Sequence, residues 1–267
     1  MISDQEQPRI LVTGAASGIG ARLCDRLRSA GTDVIPLDIR PVDGGLSCDL
    51  SEPFSIDAVA GRIEGRLHGI AHVAGIPGTA PPDRIAAVNL VALRRLTSAL
   101  CGRLQSGASI VVVSSVTAHR CEWTPAELED VLSGDDEAVI ERLATLSGPD
   151  AYAASKKLAN HWSCALSARL LPQGVRVNVV SPGPVETPIL KDFEESMGAA
   201  RIQAAAEIAG RHGDPDEVAA LITFLLSDDA AWINGANIAC DGGFSNARNM
   251  ATMQAGAARA EEHSSCN

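Results

Sequence analysis

Tyr152 and Lys156 stand four residues apart in the segment Ala151-Tyr152-Ala153-Ala154-Ser155-Lys156. Both residue types are scarce: Tyr152 is the only tyrosine in 267 residues, and Lys156 is one of three lysines, with Lys157 and Lys191. Leu158, Trp162 and Leu166 continue the segment at helical spacing, which puts phenol and ammonium on one face, a turn apart. A phenol with its ordinary pKa of about 10 is a useless base at neutral pH. A cation held one turn away favours the phenolate and brings proton transfer within reach. The same spacing describes a surface tyrosine beside a solvated lysine, so the elements that hold the pair must decide.

Those elements alternate between strand and helix patterns. The apolar run Arg9-Ile10-Leu11-Val12 leads into Thr13-Gly14-Ala15-Ala16-Ser17-Gly18-Ile19-Gly20, and a helical pattern follows through Leu23 and Leu27. Gly14, Gly18 and Gly20 let backbone approach a phosphate at a helix N-terminus, where free N–H groups and the helix dipole favour negative charge. The spacing is G-x-x-x-G-x-G, and a plain tight turn is the competing reading. The next strand, Asp33 to Leu37, ends in Asp38, eighteen residues after Gly20. At that distance a strand–helix–strand unit presents a carboxylate to an adenosine ribose. A carboxylate there binds the 2′-hydroxyl and repels a 2′-phosphate, so NAD is expected over NADP, with Arg40 partly offsetting the preference.

Leu46-Ser47-Cys48-Asp49-Leu50 reads as a short strand, and Ile56, Val59, Ala60 and Ile63 mark a helix. Gly69 to Gly75 is a strand and turn, Ile76 to Pro82 a Gly/Pro loop, and Ile85 to Leu100 a long helix containing Asn89. Ser109-Ile110-Val111-Val112-Val113 is a buried type of strand that delivers Ser114-Ser115 to its carboxyl end, the edge where open α/β sheets bind ligands. Residues 116–151 differ from their surroundings: two acidic helical stretches, Ala126–Leu132 and Glu137–Leu143, are split by Ser133-Gly134-Asp135-Asp136 and predict a helical hairpin on the surface. Strands at Val175–Val180 and Asn237–Cys240 and a helix starting at Asp214-Pro215 complete the alternation. Residues 188–210 carry Leu190, Phe193, Met197 and Ile202, which suits a lid over an apolar ligand or a surface helix packed on the core. Residues 248–267 read as a tail, loose at its end.

Apolar residues make up 46% of the chain, enough for a globular core, while aromatics at 3% leave that core to Ala, Val, Leu and Ile. A net charge of -11 argues against nucleic acid and anionic membrane surfaces as partners. No apolar run approaches the ~18 residues of a membrane span, and the polar, acidic start is no signal peptide. Seven scattered cysteines without a C-x-x-C fit reduced thiols, and a cytoplasmic location without a metal site is expected.

Taken together, Thr13-Gly14-x-x-x-Gly18-x-Gly20, Asp49, Ala74-Gly75, Asn89, Ser114-Ser115, Tyr152-x-x-x-Lys156, Pro182-Gly183 and Asp241-Gly242-Gly243 resemble a short-chain dehydrogenase/reductase from Ile10 to Gly243. The extended gap before Tyr152 is similar to that of the 3α-hydroxysteroid dehydrogenase/carbonyl reductase branch. The resemblance implies an α/β fold: one Rossmann-type domain over residues 1–267, with a doubly wound sheet of about seven parallel strands and helices on both faces. It implies reversible oxidation of a secondary alcohol (a hydroxysteroid, cyclic or aromatic alcohol) with NAD. Tyr152 is then the base, Lys156 lowers its pKa and holds the nicotinamide ribose, Ser115 binds the substrate oxygen, and Asn89 holds a water that links Lys156 to solvent. Cofactor contacts fall to Gly14, Ser17, Gly18, Ile19, Gly20, Asp38, Arg40, Asp49, Leu50, Ala74, Gly75, Pro182, Gly183, Val185 and Thr187, beside Tyr152 and Lys156. A homodimer or homotetramer is implied, with pairing through the long helices at 83–104 and 152–171, one surface of which the hairpin alters or blocks.

Two histidines stand apart from this pattern. His72-Val73-Ala74-Gly75 replaces the family's usual Asn-Asn-Ala-Gly or Asn-Ala-Gly, and His72 reads as a structural core histidine. His119 is either a loop histidine or part of the substrate pocket. The competing functions are an NAD-binding regulatory or scaffold protein without turnover, whose mark would be loss of Ser, Tyr or Lys, and an epimerase or dehydratase on the same fold.

Overall fold

The computed structural model describes residues 7–251, 253 and 254. In chain order the elements are β1 (Arg9–Thr13), α1 (Gly18–Ser29), β2 (Asp33–Asp38), β3 (Leu46–Ser47), α2 (Pro53–Arg62), β4 (Leu67–His72), α3 (Pro82–Ala86) and α4 (Ala92–Leu100). They continue as β5 (Leu104–Val113), α5 (Pro125–Ser133), α6 (Asp136–Ala144), α7 (Gly148–Leu170), β6 (Arg176–Pro182), α8 (Leu190–Met197), α9 (Ala199–Ala209), α10 (Pro215–Leu226) and β7 (Asn237–Cys240). The seven strands form one sheet in the order β3-β2-β1-β4-β5-β6-β7, with every pairing parallel.

A parallel sheet covered by helices on both faces needs strands that are apolar throughout, and side chains alternate between the two cores. Ile10 and Val12 of β1 enter one core with α1 and α10, while Leu11 enters the other with α2, α4 and α7. Val111 and Val113 of β5 follow the first pattern; Ile110 and Val112 follow the second. The connections run outward from β1 to β2 and β3, then return to β4 on its other side. The carboxyl ends of β1 and β4, at Thr13 and His72, therefore flank the crevice where strand order reverses.

Residues 116–151 hold a 3-10 turn at Val116–Arg120, then α5 and α6, and their last four residues already belong to α7. Leu128 of α5 and Val139 and Leu143 of α6 are buried in the main core cluster. The pair packs against α3 and α7, and Arg94 of α4 donates to the Gly134 carbonyl at 3.3 Å. The acidic side chains stay outside while the apolar stripe packs on the core.

The helical run Pro82–Arg103 spans 22 residues and is, by length and composition, apolar enough to cross a membrane. It packs against the sheet with Leu90, Leu96 and Leu100 fully buried. A π turn at Ala87–Val91 interrupts it between α3 and α4, where a plain helix was expected. The expected lid residues form α8 and α9. Of the expected tail, residues 248–251 are helical, and the call on residues 252 and 255–267 lies outside the described residues.

Candidate active site

The ladder between β5 and β6 places the two serines. Ser114 N–H donates to the Val180 carbonyl at 2.8 Å, extending the pairing one residue past Val113. Ser114 Oγ donates to the Lys156 carbonyl at 3.2 Å and ties the strand to α7. Alternation turns Ser115 the other way, to the wall of an open cavity above the sheet edge. Its Oγ accepts from Thr117 N at 3.1 Å as the cap of the 3-10 turn. Ser147 caps α7 with Pro149 in its first turn, and this fixes the entry of Tyr152 and Lys156.

Tyr152, Lys156 and Ser115 line the same cavity, with Tyr152 only 5% and Lys156 only 4% exposed. The Ser115 side chain lies close enough to the Tyr152 hydroxyl to lower its pKa. Lys156 Nζ donates to the Val113 carbonyl at 2.9 Å and lies 5.8 Å from the Tyr152 ring centroid. Burial pushes the Tyr152 phenol up to about 12, and the Ser115 side chain works against that rise. Burial likewise pushes the Lys156 ammonium down to about 8. Burial disfavours the charged form of each group.

Asn89 sits in the π turn with its amide already committed. Its Oδ1 accepts from Ile76 N at 2.9 Å, and its Nδ2 donates to the Ile76 carbonyl at 3.0 Å and to Ser155 Oγ at 3.3 Å. The side chain braces the loop after β4 against α7.

A second cavity adjoins the first, sharing Ile19, Val73, Gly75 and Thr187 with it. Its walls include Gly14, Ser17, Gly18, Gly20, Asp38, Arg40, Asp49, Leu50 and Ala74, each predicted from the sequence. Pro182, Gly183 and Val185 belong to the first cavity instead. The turn tolerates no side chains where glycines stand. Gly14 has φ +70° and a Cβ there would lie 2.8 Å from Ala74 Cα, while a Cβ on Gly20 would lie 2.1 Å from the Gly14 carbonyl oxygen. Backbone thus reaches the cavity floor at the start of α1, as a pyrophosphate requires. Asp38 is nearly buried, and its carboxylate accepts from Ala16 N at 3.0 Å and Arg40 N at 2.9 Å. The Arg40 guanidinium reaches Ser17 Oγ at 2.6 Å. Asp49 accepts from Ser51 N and Ser51 Oγ, which hold its carboxyl below the ordinary range. This floor fits a dinucleotide: bare backbone for the phosphates at one end, a fixed carboxylate for a ribose at the other.

The first cavity is roofed by α8 and α9. Leu190, Phe193, Met197 and Ile202 all line it, and Phe193 meets Tyr152 edge-on at 5.2 Å between centroids.

Comparison with known proteins follows the same division of the chain. The short chain dehydrogenase profile matches residues 8–123, and a profile described as enoyl-(acyl carrier protein) reductase matches residues 138–245. Neither covers residues 124–137, which hold α5 and the first two residues of α6. A coniferyl-alcohol dehydrogenase of a Pseudomonas species is 37% identical over 89% of this chain and 96% of its own length. The chain belongs to the short-chain dehydrogenase/reductase family. The 3-alpha-hydroxysteroid dehydrogenase/carbonyl reductase of Comamonas testosteroni is 30% identical over 88% of this chain and 95% of its own. Among solved structures, the 3-alpha-hydroxysteroid dehydrogenase of Pseudomonas sp. B-0831 complexed with NADH superposes with a TM-score of 0.78 at 35% identity, covering 88% of this chain and 95% of that one.

This short-chain dehydrogenase/reductase departs from the family pattern at His72, whose Nε2 lies 2.8 Å from Thr97 Oγ1 on the buried side of β4. The loop that follows is held by Thr13, whose Oγ1 accepts from Val73 N at 3.0 Å and Ala74 N at 3.1 Å. Sequence reading gave Thr13 no such role, although a threonine at the end of β1 was its one signal. Burial pushes His72 from the ordinary 6.5 down to about 4. The unfolded chain therefore binds a proton between those values that the folded chain does not. Stability is complete above about pH 6.5 and falls by about 3 kcal/mol as pH drops towards 4. Denaturant titrations of the wild type and of His72→Asn across this window should show a flatter curve for the variant.

Proposed function

We propose that the protein oxidises an apolar secondary alcohol to a ketone, reversibly, with NAD, and that Ser115, Tyr152 and Lys156 carry the proton chemistry. The observation that carries this reading is the convergence of all three side chains in one apolar cavity adjoining a cavity built for a dinucleotide. The nicotinamide cofactor supplies the hydride acceptor, or the donor in reverse. Ser115 Oγ orients the substrate oxygen beside the Tyr152 hydroxyl. In reduction the buried, neutral phenol donates its proton to the oxygen as negative charge develops there; in oxidation the same atom accepts the alcohol proton. Lys156, on the next turn of α7, stabilises the phenolate that donation leaves. The relatives named for coniferyl alcohol and for 3-alpha-hydroxysteroids support an apolar cyclic or aromatic alcohol.

Asp38 supports NAD over NADP, because its fixed carboxylate would meet a 2′-phosphate with like charge. NADH formation with a panel of cyclic and aromatic secondary alcohols tests the reaction; failure with every member, together with retained NAD binding, would overturn it. Asp38→Asn should raise the ratio of NADP to NAD affinity at least about tenfold, because Arg40 then faces the phosphate without its carboxylate neighbour. An unchanged ratio by fluorescence titration would remove Asp38 as the selector. The family supports a homodimer or homotetramer, which the solution mass from light scattering decides.

A further inference from the structure

The two cavities meet at a shared wall, and α8 starts from it. Thr187 and Ile189 line both cavities. Leu190 N donates to the Thr187 carbonyl at 3.0 Å and Phe193 N to the Ile189 carbonyl at 3.2 Å, so the first turn of α8 grows out of that wall. Leu190 and Phe193 then line the substrate cavity, while Asp192 lines the cofactor cavity. Asp192 is partly buried, and its backbone carbonyl accepts from Ser196 Oγ at 2.8 Å. Sequence reading gave Asp192 no role.

Among the described residues, the charged ones that line the cofactor cavity are Asp38, Arg40, Asp49, Arg84 and Asp192. The first four stand in pairs of opposite sign: Arg40 lies 3.6 Å from Asp38, and Arg84 lies 3.9 Å from Asp49. Asp38 and Asp49 follow β2 and β3, at the adenosine end. Asp192 comes from the other side of the crevice, three residues after Ile189 and so on the same face of the chain's next turn. A nicotinamide ring belongs at the shared wall, because Ser115 and Tyr152 wait on its far side. That ring is a cation in NAD+ and neutral in NADH, whereas riboses and pyrophosphate are the same in both. A carboxylate beside the ring therefore tells the two forms apart. A carboxylate beside the pyrophosphate repels both alike.

Resting on the reading that a nicotinamide cofactor serves Ser115, Tyr152 and Lys156, we propose that Asp192 discriminates between the two oxidation states of that cofactor. Its carboxylate draws NAD+ into the cavity more strongly than NADH. It exchanges no proton and touches no substrate; it is a specificity residue, acting through charge. The attraction also favours the protein holding NAD+ and alcohol over the protein holding NADH and ketone, and so assists ketone reduction. Solvent reaches Asp192 and screens it, which makes the effect several-fold and salt-dependent.

Asp192→Asn keeps the shape of the side chain and removes its charge. Glu195→Gln makes the same charge change at an exposed position of α8 that lines neither cavity. Calorimetry of wild type and both variants with NAD+ and with NADH, without substrate, gives the two Kd values for each. The ratio of the NADH Kd to the NAD+ Kd should fall at least about threefold in Asp192→Asn and less than that in Glu195→Gln. A smaller fall in Asp192→Asn, or an equal fall in both variants, would overturn the assignment. Affinities for NAD+ and NADH that rise together in Asp192→Asn would also overturn it, by placing the carboxylate at the pyrophosphate. NADH formation from alcohols, followed separately, keeps the two readings apart. A fallen ratio without turnover of any alcohol by the wild type upholds Asp192 and sinks the reaction; turnover with an unchanged ratio does the reverse.

Discussion

Tyr152→Phe should lower turnover by about 10²–10⁴-fold while leaving NAD affinity within about twofold. The change removes one oxygen and keeps the ring. The edge-on contact with Phe193 and the burial beside Ile85 and Ala151 survive, so the fold has no reason to move. What is lost is the proton donor beside Ser115. Ser115 and the apolar wall still bind the substrate, so KM should change much less than kcat. The assignment fails if the variant keeps more than a tenth of wild-type activity, or if activity and NAD binding fall together.

Gly20→Ala should abolish measurable dinucleotide binding and lower stability by about 1–3 kcal/mol. A methyl group there would lie 2.1 Å from a backbone oxygen of Gly14, a distance no side-chain rotation relieves. Either the turn opens or α1 shifts along its axis, and both withdraw the N–H groups from the cavity floor. Gly102→Ala is the control, because nothing lies within 4 Å of its Cβ and its φ is not left-handed. Equal NAD affinity in the two variants by fluorescence titration would show that the turn is not the phosphate site.

Much of the fold was legible because short-range chemistry dictates it. Glycines where a Cβ would strike backbone, an acid at the tip of β2 and a phenol one turn from an ammonium are each readable within about twenty residues. The choice of Ser115 over Ser114 came from the family resemblance and not from the residues alone. What escaped depends on distant partners. Leu128, Val139 and Leu143 look like an ordinary amphipathic stripe until α3 and α7 are placed beneath them. Asn89 looks free to bind water until the Ile76 loop folds back to take its amide. The direction of the Tyr152 shift is a contest between burial and a nearby charge, and the sequence shows the charge but not the burial. Arg120 and Arg201 are far apart in the chain, and only the closure of α9 over the cavity puts them on one wall.

A chain with a single phenol carries its own optical probe. Ultraviolet difference absorbance of phenolate formation can come from Tyr152 and from no other residue, so alkaline titration reads this one oxygen without a label or a mutation. Because burial holds its ionisation near 12, the transition should appear displaced to the alkaline side of free tyrosine. Any ligand that brings positive charge into the pocket would move it back, in a spectrum with no background from other tyrosines.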